Sequence, residues 1–492
     1  MSARVSSATP RAAAAAKFVA GSRRRTTTSS SRVATRRVAA AATAAEASTI
    51  EDKWIAGSVE RCAIGAGVES LRAGAVTQLA RARMPTSRAE EFRFTDLAPL
   101  LTKQPTAADA SKADDVDASA WTFEAANASR VVLVDGVFRA DKSSIDAIAK
   151  GGAKISVSAA AAGDAAPPAA LGSMTSTGRG GVLASLNAVM ASDVVHVDVP
   201  AGVTLDVPIH IVQLSTSGDD AAELSSSAPR IVITVGERAS VEVVEEFAPA
   251  PGVSDDACGY WHNGVCEIVI EKDGRVTHAM VQAQTRNAVH TRLTTLTQAE
   301  SSTYALAEVN VGGKIGRHDL GIEQLGPRTV TELSCFNLAG AGQCMDLHSS
   351  VTLDHEEGKT DQVHKCIVSS ASGRGVFDGN VKVNKLAQRT DAGQISRNLL
   401  LVPKATVNVK PNLQIVADDV VCTHGCTVSD LEEEELFYIQ SRGLSPAVAR
   451  SLLVAGFGLE IVSKLPGGKD IRDRVGALVK ASLDKDDVQL VA

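Results

Sequence analysis

The stretch VVHVDVPAGVTLDVPIHIVQL, from Val194 to Leu214, decides the fold class, because apolar and polar residues alternate along it. Alternation with a period of two is typical of β-strands, whose successive side chains point to opposite faces of a sheet. Two similar stretches follow, RIVITVGERASVEVVEEF from Arg230 to Phe247 and CEIVIEKDGRVTHAMVQAQ from Cys266 to Gln284. Val, Ile and Thr dominate these stretches and Gly, Asp and Pro interrupt them, as expected for strands joined by turns.

This pattern extends from about residue 130 to about residue 415, and no convincing helix interrupts it. A Rossmann-type fold, in which strands and helices alternate, is therefore excluded. A β-sandwich is usually complete in about 100 residues, so it is too small. A parallel β-helix, which stacks short strands coil on coil, fits the length, although no strict sequence period is visible. We predict a mainly β fold of this kind.

The first 45 residues differ in kind from the rest of the chain. They contain eight arginines and one lysine, no Asp or Glu, and many Ser, Thr and Ala. This composition is typical of an organelle transit peptide, and the Ser and Thr content favours the plastid. A disordered nucleic-acid-binding arm is the alternative interpretation. We predict a transit peptide at 1–45, an N-terminal helical region at 46–125, a β-helix core at 126–420 and a C-terminal helical region at 421–492.

Charge and composition narrow the function classes. The whole chain carries 50 basic and 57 acidic residues, and the part after residue 45 is more acidic still. It should therefore be a poor nucleic-acid binder. No run of about 18 apolar residues follows, so no membrane span is predicted. Eight scattered cysteines do not indicate a disulfide scaffold, and without a P-loop motif the chain should not hydrolyse ATP.

Cys422, His424 and Cys426, within VCTHGCT, form the densest group of metal-ligating residues. Thiolate and imidazole bind iron, copper and zinc. In a strand, residues two apart point to the same side, so the three side chains would share one face. Three ligands so close in sequence rarely complete a coordination shell without further ligands. The alternative is that these residues bind no metal and are a histidine and two small buried cysteines at a strand-to-helix turn. His364 and Cys366 form a looser pair, which we interpret as ordinary strand residues.

Helices are predicted after this cluster. Ser429 and Glu432 match the S-x-x-E capping box that starts a helix. Ser445 and Pro446 are expected to start a second helix, with the proline at its first position. A third helix is predicted from about residue 469 to about residue 483.

The C-terminal half resembles the SufB/SufD family of iron–sulfur cluster assembly scaffolds, and an N-terminal segment resembles the family too, with Phe92 where a Trp is common. The segments that carry the resemblance are GVFDGNVKV from Gly375, AQRTDAGQISRNLLLVPKATVNVKPNLQI from Ala387, DDVVCTHGCTV from Asp418, LFYIQSRGL from Leu436 and MPTSRAEEFRFTDLAPL from Met84.

Within the family the chain looks like SufD rather than SufB. SufB usually has a Cys-Asp-Ser-Leu-Leu segment with a cluster-building cysteine, whereas this chain has Ser-Arg-Asn-Leu-Leu from Ser396 to Leu400. SufD-type chains carry C-x-H-G-A-T, which Cys422 to Thr427 match except that Cys426 replaces the usual alanine.

The resemblance implies a right-handed parallel β-helix flanked by helical ends. It also implies a partnership with a SufB-like subunit and a SufC-like ABC ATPase in the plastid stroma, and the chain alone could form a homodimer. A nascent iron–sulfur cluster would form where the SufB-like and SufD-like chains meet. His424 would contribute to it, with Cys422 as a second candidate and Cys426 as a weaker one. The ATPase would dock on the C-terminal helices, at the residues Glu432, Glu435, Phe437, Tyr438 and Arg442.

Two functions of other classes remain as alternatives. One is a β-helix enzyme that acts on polysaccharide, for which three Trp and three Tyr offer few rings to stack on sugars. The other is a self-standing metal-binding protein. A flavin is conceivable as a cofactor, but no feature of the sequence supports one.

Overall fold

The strands form two long sheets. The computed structural model describes residues 45–62, 69–159, 167–173 and 180–485. The transit peptide predicted at 1–45 lies outside these residues except for its last position, as does the end of the predicted C-terminal region. The strands are β1 (Gln104–Ala107), β2 (Arg130–Val134), β3 (Val137–Phe138), β4 (Lys154–Ala159), β5 (Asp193–Val199), β6 (Ile209–Ser215), β7 (Glu223–Ser227), β8 (Arg230–Val235), β9 (Ser240–Pro249), β10 (Tyr260–Ile270), β11 (Arg275–Gln282), β12 (Val289–Gln298), β13 (Thr303–Asn310), β14 (Ile315–Gln324), β15 (Val330–Ala339), β16 (Cys344–Leu353), β17 (Lys359–Val368), β18 (Arg374–Val383), β19 (Thr390–Leu400), β20 (Thr406–Ile415) and β21 (Val420–Ser429).

The two sheets are the walls of a parallel β-solenoid. From β8 to β21, successive strands alternate between an 11-stranded and a 10-stranded sheet, so each coil adds one strand to each sheet. Each strand pairs in parallel with the strand one coil earlier, as β16 does with β14 and β17 with β15. The predicted mainly β fold, a parallel β-helix with helical regions at both ends, is confirmed.

The coils repeat in space without repeating strictly in sequence. Val289 pairs with Ile315, Ile315 with Cys344, and Cys344 with Arg374, so these four residues stack in successive coils. The number of residues between them differs from coil to coil, because the turns that join the strands differ in length. The absence of a visible sequence period follows from this variation.

The interior of the solenoid is apolar along one part and polar along another. In β13, Leu306 belongs to the main apolar core, whereas Glu308 and Asn310 are buried polar residues. The carboxylate of Glu308 lies 2.8 Å from Nδ1 of His318 and accepts a hydrogen bond from the Asn310 amide at 2.6 Å. Buried polar groups are tolerated because they pair with one another in this way.

The two ends of the solenoid are built differently. At the N-terminal end β3 pairs with β2, and β4 with β5, in antiparallel fashion, so the chain folds back over the first coil. At the C-terminal end β20 pairs only with β18, and β21 only with β19, within the described residues. We call the first the capped end and the second, formed by β20 and β21, the open end.

Helices flank the solenoid, and two of those described, Asp146–Lys150 and Gly181–Met190, lie within its sequence. Among the described residues, none of the helices is long and apolar enough to cross a membrane. The N-terminal helices and α6 pack on the 11-stranded sheet, and the C-terminal helices α8 and α9 pack on the 10-stranded sheet. The helices are α1 (Lys53–Cys62), α2 (Glu69–Leu79), α3 (Ala98–Leu101), α4 (Ala110–Asp114), α5 (Asp146–Lys150), α6 (Gly181–Met190), α7 (Glu433–Gln440), α8 (Pro446–Val462) and α9 (Lys469–Lys485).

Three local predictions were wrong. The boundary predicted between 420 and 421 falls within β21, because this strand extends the ladder of β19 by one more coil. Helix α6 interrupts the region predicted to be free of helices; its residues are nearly all buried, so it lacks the polar face that reveals a surface helix. The capping box is not formed, since α7 begins after Glu432, whose side chain makes no cap hydrogen bond.

The start of α8 agrees with the sequence. Ser445 is its N-cap and accepts a hydrogen bond from the amide of Val448, and Pro446 occupies the first position. The third predicted helix corresponds to α9, which runs two residues beyond the expected end.

Candidate functional site

Cys422, His424 and Cys426 lie on β21, the last strand of the 10-stranded sheet. His424 pairs in register with Gln394 of β19, whose side chain is buried in the solenoid. Because parallel strands in register project matching side chains to the same face, His424 and the two cysteines face the direction of the interior. His424 and Cys426 are nevertheless exposed, since no further coil covers them in the part of the chain that the structure describes. The three side chains therefore lie on one face of β21, as predicted, and most of this face is exposed.

The three side chains are spread along the strand and do not converge on one ion. Residues two apart in a strand have Cα atoms about 6.6 Å apart, twice the rise per residue. Within the part of the chain that the structure describes, no group of three or more His, Cys, Asp or Glu side chains is close enough to hold a metal ion. Among these residues, His424 therefore belongs to no set of protein ligands that could hold a metal ion by itself.

The two cysteines of this strand differ in their surroundings. Cys422 is half-buried and packs against the main apolar core, whereas Cys426 is exposed. Burial raises the pKa of the Cys422 thiol, and the Asp391 carboxylate adds to the effect. Burial also raises the pKa of the Cys426 thiol. Both sulfurs are thus protonated near neutral pH, and each must lose its proton before it can bind a metal.

A ladder of buried amides lies beneath His424. Gln394 donates from Nε2 to Oε1 of Gln362 at 2.9 Å, and Gln362 donates to Oγ of Ser349 at 2.7 Å. The side-chain oxygen of Gln394 is buried and has no hydrogen-bond partner among the described residues. We call these three side chains the amide ladder. The amide ladder could not be predicted from the sequence, because the pairing of coils of unequal length cannot be read from residue order.

His364, one coil below, belongs to the buried interior. Its Nδ1 lies 3.0 Å from Oγ of Ser396 and its Nε2 lies 3.4 Å from the Asn337 amide, while the ring stacks on Phe377 with centroids 4.5 Å apart. Burial lowers the pKa of His364 to about 3. Cys366 is buried as well, and burial raises the pKa of its thiol to about 12. Both are therefore neutral under ordinary conditions.

Exposed apolar side chains surround the open end. Val421 is 63% exposed and Val428 48% exposed on β21, and Ile415 and Val416 at the end of β20 are similarly exposed. Edge strands with unpaired backbone groups and apolar side chains are sites at which another chain can add.

The predicted docking residues lie on and just after α7. Phe437 is 73% exposed and Tyr438 61% exposed. Arg442 donates from Nη2 to the Tyr438 hydroxyl at 3.1 Å, and its guanidinium lies 5.1 Å from the ring centre. Glu432 and Glu435 are exposed at the start of the same helix. The five residues thus share one short exposed segment.

The helix that follows is fixed to the solenoid wall. The ammonium group of Lys365 on β17 pairs with Glu460 of α8, donates to the Phe457 carbonyl at 3.2 Å and lies 4.4 Å from the Phe457 ring centre. Near the start of α8, Arg450 pairs with Asp430 at 2.9 Å. The exposed segment is therefore carried on a rigid support.

Comparison with known proteins agrees with this architecture. Residues 216–457 match the SufBD core domain of the SUF system for FeS cluster assembly, and residues 62–211 match the SufBD protein N-terminal region. A SufBD family iron–sulfur cluster assembly protein of Synechocystis is 35% identical over 399 residues, covering 80% of this chain and 87% of the relative. The chain belongs to the SufB/SufD family.

Two further relatives refine the comparison. Protein ABCI7, chloroplastic, of Arabidopsis thaliana is 44% identical over 301 residues, which cover 61% of this chain and 62% of that protein. The iron–sulfur cluster assembly protein SufD of Escherichia coli is 27% identical over 391 residues, covering 79% of this chain and 87% of SufD. This SufB/SufD-family chain is thus an iron–sulfur cluster assembly protein and is SufD-like.

Proposed function

We propose that this chain is the SufD-like scaffold subunit of a complex with a SufB-like chain and a SufC-like ABC ATPase. In this complex a nascent iron–sulfur cluster is held between the SufB-like chain and the open end. The observation that carries the proposal is that His424 projects in the direction of the interior from a terminal coil that no other described residues cover.

The open end suits a partner with an edge of the same kind. β20 and β21 each leave one row of backbone groups unpaired within the described residues, and their apolar side chains are exposed. A second solenoid that added its own terminal strands would satisfy the backbone groups and bury the apolar side chains. A SufB-like chain, built on the same family fold, is such a partner.

His424 supplies an imidazole to the cargo iron at this junction. Neutral imidazole is a good ligand for iron, and an isolated ligand on a strand leaves the remaining coordination positions to the partner. Cys422 is a second candidate, although its packing against the core also explains its presence. Cys426 is exposed and replaces the alanine usual in SufD-type chains, so we assign it no ligand role.

The ATPase docks on α7 and the exposed segment after it. Phe437 and Tyr438 present apolar surface, and Glu432, Glu435 and Arg442 surround it with charge. Large exposed aromatic residues with a charged rim are typical of protein interfaces. Because this chain has no P-loop, the ATPase partner supplies ATP hydrolysis, and the chain acts as a scaffold rather than an enzyme.

Residues 1–45 direct the chain to the plastid stroma. Their composition, rich in Arg, Ser and Ala and free of Asp and Glu, is that of a transit peptide. The chloroplastic Arabidopsis relative supports the same compartment. A reporter fused to these residues should enter plastids, and a reporter that remained cytosolic would contradict the assignment.

The test of the function is co-expression with SufB-like and SufC-like partners, followed by measurement of bound iron and sulfide. The wild-type chain should co-elute with both partners in size-exclusion chromatography. His424→Ala should lower the iron and sulfide per complex at least about 10-fold without changing the elution, because a ligand is lost while the interface is kept.

Cys426→Ala is the matched control on the same strand and should retain the wild-type iron content. Separate elution of the three wild-type proteins at micromolar concentration would contradict the complex. Full iron content in His424→Ala together with its loss in Cys426→Ala would show a thiolate site instead.

A further inference from the structure

We infer that Gln394 is the positioning residue of His424: in the assembled complex its side-chain oxygen accepts the imidazole N–H and so sets which ring nitrogen is free to bind. The inference rests on the proposed function for what His424 binds.

The amide ladder connects successive coils toward the open end. Gln394 donates to Gln362, Nε2 of Gln362 donates to Oγ of Ser349 at 2.7 Å, and the Ser349 hydroxyl lies 3.1 Å from Oε1 of Gln362. A donor from the next coil would bind Oε1 of Gln394. That oxygen is fully buried and lacks a partner among the described residues. A buried acceptor left without a donor is destabilising, so a donor is expected there.

His424 is the residue that the register places at this next position. It is the Cα partner of Gln394 in the parallel ladder between β19 and β21. Its side chain makes no hydrogen bond within the described part of the chain, so its N–H is available. The other buried orphan acceptor of β19, Oδ1 of Asn398, lies in register with Val428, whose side chain has no donor. Of these two positions on β19, only Gln394 therefore has an unpaired acceptor in register with a side chain that carries a donor.

The Gln394 amide cannot easily turn to present its nitrogen instead. Its Nε2 is held by Gln362 at 2.9 Å and packs against the backbone of Gly379, where a Cβ would lie only 2.2 Å from it. Gly379 thus creates the space that the amide nitrogen fills. With the nitrogen fixed on that side, the oxygen remains for the side of β21.

The consequence for His424 is a fixed tautomer. A neutral imidazole carries one N–H, and the hydrogen bond made by that N–H determines which other nitrogen keeps its lone pair. Donation to Gln394 would turn the N–H inward and leave the second nitrogen facing outward, toward the covering partner and its iron. Loss of an acceptor that hydrogen-bonds a metal ligand, without touching the metal itself, commonly lowers metal affinity by about 10- to 100-fold.

The decisive measurement is the tautomer of His424 in the assembled but iron-free complex. Isotope-labelled histidine in this chain, read by nitrogen NMR with the His424 signal identified by its loss in His424→Gln, should show a single tautomer. Gln394→Met should convert it to a mixture of tautomers. Gln394→Glu keeps an acceptor oxygen but changes the contact with Gln362, so it should retain the single tautomer even if the melting temperature falls. A mixture in the wild type, or a single tautomer in Gln394→Met, would overturn the inference.

Iron content gives a second, independent reading. Gln394→Met should lower iron per complex about 10-fold, and this loss should vanish in the His424→Gln background, because the two residues act through one contact. Gln298→Met, which removes a buried amide far from the open end, is the control and should leave iron content unchanged. An equal loss on Gln394→Met with and without His424 would mean a structural role and would overturn the inference. Unchanged iron in His424→Gln would refute the proposed function, while the tautomer measurement would still decide the role of Gln394.

Discussion

The capped end and the open end of this solenoid differ in whether the chain itself covers the terminal strands. At the capped end, β3 and β4 run antiparallel to their neighbours, and Ile148 of α5 is buried in the main core. At the open end, β20 and β21 remain parallel edge strands, and Val421 and Val428 stay exposed. A solenoid needs both ends covered to avoid uncontrolled edge pairing. One cover is therefore intramolecular, and we propose that the other is a partner chain.

The comparison also explains why the candidate site is at one end only. Four of the five side chains of β2 at the capped end, Val131 to Val134, are fully buried and apolar. The corresponding layer at the open end rests on the amide ladder and presents His424. A ligand shell shared between two chains can only be built where the interior of the solenoid reaches the surface.

The largest effect is expected from a charge placed on the open end. Val421→Asp should weaken binding of the SufB-like partner by more than about 100-fold, because burying an unpaired carboxylate costs about 3 kcal/mol or more. Val137→Asp is the matched control, since Val137 is a partly exposed valine on β3 at the capped end. Titration by fluorescence anisotropy would measure both affinities. Equal losses of affinity for the SufB-like partner in the two variants would show that the open end is not the specific interface.

A somewhat smaller effect separates the two ends in the isolated chain. Leu133→Ala should lower the free energy of unfolding by about 3 kcal/mol, because it leaves a cavity in a fully buried layer. Ile415→Ala, at an exposed position of β20, should cost below about 1 kcal/mol. Urea unfolding of the isolated chain measures both changes. A cost at Ile415 as large as that at Leu133 would indicate that the open end is already covered in the free chain.

The smallest effect per residue concerns pH and distinguishes the buried interior from the surface. Burial lowers the pKa of His364 to about 3 and that of His262, beside Arg292, to about 3. The unfolded chain binds these protons below about pH 6.5 and the folded chain does not, so stability falls as the pH falls from about 6.5 toward 3. Among the groups that oppose this trend are two carboxyls whose pKa burial raises, Asp135, to about 6, and Asp193.

Each of these histidines should contribute about 2 kcal/mol of lost stability between pH 7.5 and pH 5. Urea unfolding at the two pH values measures the difference, and His364→Gln should reduce it. Leu347→Ala, a buried apolar neighbour in the same interior layer, should lower stability by the same amount at both values. A pH dependence unchanged in His364→Gln would show that this ring is not held neutral.

Much of the fold was predictable because strand alternation is a local property. The period of two in β6, β9 and β11 requires no knowledge of partners, since the pleat of a single strand sets it. Helix α6 was missed for the converse reason: its all-round burial, including Asn187, depends on neighbours that the sequence does not specify. The capping box at Ser429 failed because pairing of β21 with β19 kept that residue extended.

By itself the sequence determined the β-solenoid class, the chemistry available at Cys422, His424 and Cys426, and, through its motifs, the SufB/SufD family. Only the tertiary structure decided that this strand is the last coil, that Cys422 packs on the core while His424 and Cys426 are uncovered, and that Gln394 lies beneath His424. The physical reason is that residue type and alternation are encoded locally. Burial and register instead arise when coils of unequal length stack, and a partner to His424 becomes visible only in that stack.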